Sequence, residues 1–389
     1  MRRWQLSFVL AGLALCAAPG LRAGELLYAP EGDRLCVYDL DAAPGAHAEK
    51  VLIDGVSLDP EHGRDVNGMV CALEIAKPVS LALPDGGGGI GFDDLRFSPE
   101  LHRVLAPAGR TGRLDLIDPT AHAIESIGGF STSDGFGGGH GDGTTSVDVG
   151  AGLLFATDRG RDEVVVIDAA TRQLASTTKL AAGPDYVRWV EPSQEVWVTE
   201  PRTKQIEWFA LAERKLVRKG AIPVPGGPES LVIDASRGRA YTHTWGDTTV
   251  VIDLAGHAEV ARWKNGCKSS RGIALDEKRG LLFVGCAEGR ATVLDVAHDG
   301  GQLSAAEAGR GVDIVAYSPQ LAHLYVPSGD SATLTILGVT AAGKLDVLGS
   351  VAVAEGAHCV TADDAGHAYV CDPEHGALLV VTDPFPPTR

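Results

Sequence analysis

Seven stretches of the chain place one residue at the same distance from a common landmark. The landmark is the end of a short alternating run, closed in most cases by Asp or Ser. Five residues before it stand Asp93, Gly143, Asp185, Glu229, Arg271, Asp313 and His358. Six of the seven are ionisable. The exception, Gly143, has Asp142 beside it and His140 close by in GGGHGDG. If a fold brings these positions together, four crowded carboxylates raise one another's pKa values unless a cation or Arg271 compensates. Arg271 can neutralise part of such a ring or clamp a carboxylate or phosphate. Oxygen ligands in that number suit Ca²⁺ or Mg²⁺. A cation bound there would polarise a lactone carbonyl, with His358 as general base. The plainer alternative is that polar residues before a strand cap turns through nearby backbone amides. No Ser-His-Asp order and no nucleophile elbow is present, which argues against a serine hydrolase.

A second concentration of chemistry is GAHCVTADDAGHAYVCDPEHG at residues 356–376, with two cysteines and three histidines. Read as a hairpin centred on Ala365, it sets Cys359 opposite Cys371, so a disulfide between them is the leading expectation. Strand alternation sends His358 to the other face, His367 falls in the turn and His375 lies beyond the second strand. The histidines therefore disperse, and no metal is expected. Cys267 and Cys286 occupy another hairpin in a less symmetric way and form the second candidate bridge. Cys36 and Cys71 are the remaining pair.

The elements that must position these residues are short strands. Gly is abundant, turn residues separate brief apolar runs, and no long stretch has helical periodicity. A unit of roughly 42–45 residues repeats. Five copies begin at 183, 227, 269, 311 and 356, and two less regular ones at 91 and 143. Seven units of four strands specify an all-β fold, a seven-bladed β-propeller. Equal offsets in such a ring map to equal heights, so the seven landmark residues should converge on one mouth of the central channel. The last unit stops after three strands, at ALLVVTDP. The N-terminal segment LLYAPEGDRLCVYDLDA is expected to supply the strand that completes this blade and closes the ring, a partial eighth blade being the alternative. Residues 54–90 fit no repeat and read as an irregular insertion ending in a Gly run.

LYVPSG at 324–329, VWVTEP at 196–201 and LLFATD at 153–158 resemble the second strands of the YVTN-type bacterial β-propeller family, over roughly residues 91–383. The resemblance implies the fold. It does not imply an activity, because the wider superfamily includes lactonases, haem-d1 nitrite reductase domains and pure binding proteins. There is no Cys-x-x-Cys-His for c-type haem and no Cys/His/Met cluster for copper. Trp189, Trp197, Trp208, Trp245 and Trp263 recur in or near the repeats and are expected to pack between blades, an aromatic ligand platform being the lesser reading. DGFGGGHGDG at 134–143 lacks the Lys-Ser/Thr and helix of a phosphate loop, and reads as a flexible lip over the channel.

The chain opens MRRWQLSFVLAGLALCAAPGLRAGE, with the order of a secretory signal peptide: basic residues, a short apolar run, then small residues. Residues 1–23 are expected to be removed, leaving residues 24–389 as one periplasmic or secreted propeller domain. LALC at 13–16 offers a weaker lipoprotein site. No second long apolar run exists, so no transmembrane span is expected. The chain carries 34 Lys and Arg against 51 Asp and Glu, a net charge of −17. Without Arg2, Arg3 and Arg22 it is more negative still. That surface repels nucleic acid and anionic lipid and suits cationic ligands. The expected function is a monomeric binding protein that takes a small-molecule or protein ligand in the channel mouth, more a binder than an enzyme. The alternatives are a metal-assisted hydrolase of the lactonase type and a scaffold acting through residues 54–90.

Overall fold

The computed structural model describes residues 75–389 in full. Before them it describes the backbone of Leu26–Glu31, Arg34–Asp39, Val51–Ile53, Val56–Leu58 and Met69–Ala72. The expected signal peptide lies outside the described residues. The chain divides into two compact units, one of residues 1–51 and 58–73, the other of residues 52–57 and 74–389.

The larger unit is a seven-bladed β-propeller of four-stranded antiparallel sheets. In blades 1 to 6 each sheet is one sequence repeat, running in order from its innermost to its outermost strand. The innermost strands are Arg96–Ser98, Val147–Gly150, Val187–Val190, Val232–Asp234, Ser270–Asp276 and Ala316–Ser318. Blade 7 begins with Val360–Ala362 and continues with His367–Asp372 and Ala377–Thr382.

Burial follows from radial stacking. Second and third strands face a neighbouring blade on both sides and are almost wholly buried. Leu153–Asp158 and Leu281–Cys286 are fully buried. Outer strands meet solvent and alternate, as in Leu174–Lys179. Phe155 of blade 2 stacks on Trp189 of blade 3 with ring centroids 5.4 Å apart. Phe283 of blade 5 packs with Val315 and Leu324 of blade 6. Closing the ring leaves only short, protected sheet edges.

Closure differs from the sequence expectation in which strand performs it. Blade 7 is completed by Val79–Ala82, paired from Ala377↔Ala82 to Val380↔Val79. That strand comes from the segment read as an insertion. The N-terminal strands Leu26–Glu31 and Arg34–Asp39 instead form a three-stranded sheet with Met69–Ala72. In it the backbone register sets Cys36 opposite Cys71, while the bridge expected between them lies outside the described side chains. Val79–Ala82 escaped notice because an outer strand buries little. Three of its four residues are exposed, so it has no legible alternation.

Candidate functional site

In every blade the first strand begins, and the second strand ends, at the same end of the channel. Residues just before the first strand and just after the second therefore meet at one mouth. Asp93, Asp185, Glu229, Arg271 and Asp313 line a single cavity there of about 300 Å³, joined by His140, Arg159, Arg202 and Trp245. His358 stands beside this group. Its ring lies 6.1 Å from that of His140, and its Nε2 is 3.1 Å from the carbonyl oxygen of Phe92. The structure thus brings together five of the six expected residues, with the sixth adjacent.

Blade 2 cannot place a side chain at the equivalent position. Gly143 has φ +67°, and a Cβ there would lie 1.9 Å from the carbonyl oxygen of Gly109. Its loop contributes His140, and the end of its second strand contributes Arg159. Gly272, next to Arg271, lets blades 5 and 6 approach, since a Cβ there would lie 2.1 Å from the carbonyl oxygen of Asp313.

The charges are unequally paired. Arg159 bridges blades 1 and 3, reaching Asp93 at 3.3 Å and pairing with Asp185, while its other nitrogens donate to the carbonyls of His140 and Pro184. His140 Nδ1 is 2.7 Å from Asp93 Oδ2. Arg271 donates to Glu229 Oε1 at 3.0 Å and lies over the Trp245 ring, 4.1 Å from its centroid. The other oxygen of Glu229, Oε2, is buried with no hydrogen-bond partner. The carboxylate of Asp313 has no hydrogen bond or ion pair among the described residues.

These environments set the protonation states. Burial pushes Glu229 up to about 10, with Asp185 and Asp313 adding to the shift and Arg271 opposing it. Burial raises Asp185 to about 7 against the pull of Arg159. Burial also raises Asp313. Asp93 goes the other way: burial opposes its charge, but His140, Arg159 and His358 together hold its carboxyl below the usual range. At neutral pH the mouth therefore holds protons on acids that its composition suggests are ionised.

Below this layer the channel has a second cavity of about 280 Å³, whose lining includes Leu95, Leu231, Ile273, Ile314 and Val360 as well as Arg96 and Asp363, with Tyr186 common to both cavities. Arg188 crosses from blade 3 to grip Asp94 of blade 1 with two hydrogen bonds of 2.6 and 2.9 Å, and also donates to the carbonyl of Leu231. Ser146 of blade 2 donates to the same carboxylate at 2.6 Å. Both charged side chains are buried, so this is a tie holding the inner ring rather than a solvated pair.

The cysteines bear out one expectation and correct two. Cys267 and Cys286 form a disulfide, with Cα atoms 5.3 Å apart. Cys359 and Cys371, the favoured pair, are free buried thiols. They do stand opposite one another, in register with Val360↔Val370. Cys371 N–H donates to Cys359 C=O at 3.0 Å, and Cys359 N–H donates to Cys371 Sγ at 3.1 Å. The cluster also does not fully disperse. His367 and His375 turn away to Asp363 and Asp372. His358, however, comes together with Cys359 and Cys371, their ligand atoms within 4.8 Å of one another. Strand alternation fails there because the strand starts only at Val360.

Of the five tryptophans in or near the repeats, Trp189 and Trp197 are buried, Trp208 stacks on His257 and Trp263 packs beside Tyr241. Trp245 is the exception: 45% exposed, at the mouth. Arg159 was not singled out by the sequence reading and Trp245 was expected to pack between blades, yet an offset carries both to the mouth. Each immediately follows a second strand, Leu153–Asp158 and Arg239–Thr244.

No protein-family model matches the sequence, and no curated protein matches it. Solved structures do. The chain is similar to a β-propeller domain of Cps50 (Swd1) from Myceliophteria thermophila, with TM-score 0.65 and 13% identity over 80% of this chain and 100% of that one. It is also similar to U3-55K, with TM-score 0.64 and 12% identity over 79% and 98%. A third is hydrazine synthase of Kuenenia stuttgartiensis, with TM-score 0.61 and 13% identity over 77% and 97%. At these identities the likeness concerns the propeller fold alone.

Proposed function

We propose that this protein is a binding protein whose channel mouth takes a cationic group, an ammonium or guanidinium, carried by a small molecule or by a basic side chain of a partner protein. One observation carries the reading. Glu229 and Asp313 line the mouth with Glu229 Oε2 and the Asp313 carboxylate lacking a hydrogen-bond partner among the described residues, beside the half-exposed Trp245. Asp313 offers an acceptor that no donor among the described residues satisfies, and the proton that Glu229 holds at neutral pH is one a donor-rich cation can displace. An aromatic face next to carboxylates favours the same ligand. A cavity of about 300 Å³ is at the small end for ligand sites, which fits one such group.

The lactonase-type reading draws less support. Arg159 and Arg271 already engage Asp93, Asp185 and Glu229. Among the described residues, the groups of three potential ligand atoms that converge within 4.8 Å lie elsewhere. The carboxylates are therefore not gathered as an oxygen cage for Ca²⁺ or Mg²⁺. Export through residues 1–23 and kinship with the YVTN-type propellers remain part of the proposal, on the sequence features that suggested them.

Calorimetric titration with arginine amide and a linear polyamine, at pH 6 and pH 8, tests the reading. Binding should be tighter at pH 8, because a cation favours the ionised acids and Asp185 sheds its proton near pH 7. Each proton displaced weakens binding up to about tenfold per pH unit below that point. Asp313→Asn should weaken binding. Unchanged affinity in that variant, or a preference for anions, would overturn the proposal.

A further inference from the structure

The His358, Cys359 and Cys371 cluster lies outside the cation-binding reading, and its geometry has a chemistry of its own. We infer that these three side chains form a binding site for a thiophilic metal ion of the zinc type. Both sulfurs are free thiols with no exposure to solvent. The nearer nitrogen, Nδ1 of His358, is 3.9 Å from Cys371 Sγ, and all three ligand atoms lie within 4.8 Å of one another. Zinc bonds of about 2.3 Å to sulfur and about 2.0 Å to nitrogen place tetrahedral ligands roughly 3.5–4 Å apart. The observed triangle needs to contract by about an ångström at its longest edge to close on an ion of that size.

The surroundings match what a ligating histidine and thiolates require. His358 binds through one nitrogen only if the other is fixed, and Nε2 lies 3.1 Å from the carbonyl oxygen of Phe92 in blade 1. A backbone carbonyl on the second ring nitrogen is the usual device that sets the tautomer of a metal-bound imidazole. The Cys359 N–H points at Cys371 Sγ from 3.1 Å, the kind of donor that stabilises a thiolate. Nδ1 now lies 2.6 Å from the carbonyl of Gly356. On binding, that contact opens, and the Nδ1 proton and the thiol protons pass to solvent. Oxidation state does not change. Two thiolates and one imidazole leave a fourth position for water or an added ligand, as in three-ligand zinc sites. The only partly buried member is His358, adjacent to the mouth, which gives the ion its way in.

The test uses the full purified protein, reduced and stripped with chelator, then dialysed against Zn²⁺. One equivalent of zinc should remain bound, and Co²⁺ in its place should show thiolate-to-cobalt charge-transfer absorption. Cys359→Ser and Cys371→Ser should each lose that equivalent. Because either buried change can prevent folding, alkylation of the wild type is a second measurement. In urea just sufficient to open the metal-free fold, where these buried thiols become reactive, Zn²⁺ should protect Cys359 and Cys371 from maleimide, and chelator should restore the reaction. Substoichiometric zinc, retention of zinc in a folded serine variant, absence of protection, or a native Cys359–Cys371 disulfide would each overturn the inference.

Discussion

Replacing Glu229 with Gln should stabilise the protein, although it removes an acid that lies beside an arginine. Burial holds Glu229 at about 10, against an ordinary value of 4.5. The folded pKa is therefore the higher one, and the native chain keeps a proton that the unfolded chain sheds. Between those two values stability falls as pH rises. At pH 7 the gap above the unfolded pKa is about 2.5 units, each worth about 1.36 kcal/mol, so the carboxyl costs folding about 3 kcal/mol. Glutamine has the same shape, can turn its carbonyl oxygen toward Arg271, and has no proton to lose. Urea unfolding of both proteins across pH should show a gain under about 1 kcal/mol at pH 5 that grows to about 3 kcal/mol at pH 7. The opposite result is informative. A variant less stable than wild type, by an amount that does not vary with pH, would mean that Glu229 is ionised against Arg271. The reasoning that makes the mouth a proton-holding, cation-hungry site would then fail. A gain in stability that coincides with weaker cation binding is what a functional site with unpaired groups should show.

Arg188→Met should destabilise by about 3–5 kcal/mol by leaving Asp94 buried without its partner, and adding Asp94→Leu should recover much of that loss, both read by chemical denaturation. Deleting residues 24–83 should lower the melting temperature well below that of a 24–73 deletion, because only the longer one removes Val79–Ala82 and opens blade 7; equal melting would refute closure by that strand. Non-reducing peptide mapping should recover Cys267 linked to Cys286, with Cys359 and Cys371 reactive once the fold is opened.

The repeat was legible because buried strands repeat their pattern. EVVVID and TTVVID have the same apolar run because each fills the gap between two blades. The mouth was partly legible for the same reason, since register turns one offset into a ring. What sequence could not show is pairing. Nothing in LLFATDRG says that its arginine reaches two blades, from Asp93 to Asp185. Nor does the hairpin centred on Ala365 reveal that its first strand begins only at Val360, which leaves His358 beside the two thiols. Val79–Ala82 was hidden by exposure: a strand that faces water needs no pattern.

The closing strand also imposes an order on the making of the molecule. Val79–Ala82 leaves the ribosome before any blade, and Ala377–Thr382, its partner, leaves after every other blade strand. Six blades can stack while the seventh still has an open edge, and an open edge on a growing chain invites pairing with other chains. The waiting strand is a poor template for that, with four residues followed by Pro84 and a run of glycines from Gly86 to Gly89. Joining segments so distant adds little entropy beyond that of a shorter loop, because the cost grows only as the logarithm of length. It does make the join slow to find. A chain that stops short of residue 377 can build most of its blades and still never lock, so the last seam separates finished molecules from incomplete ones.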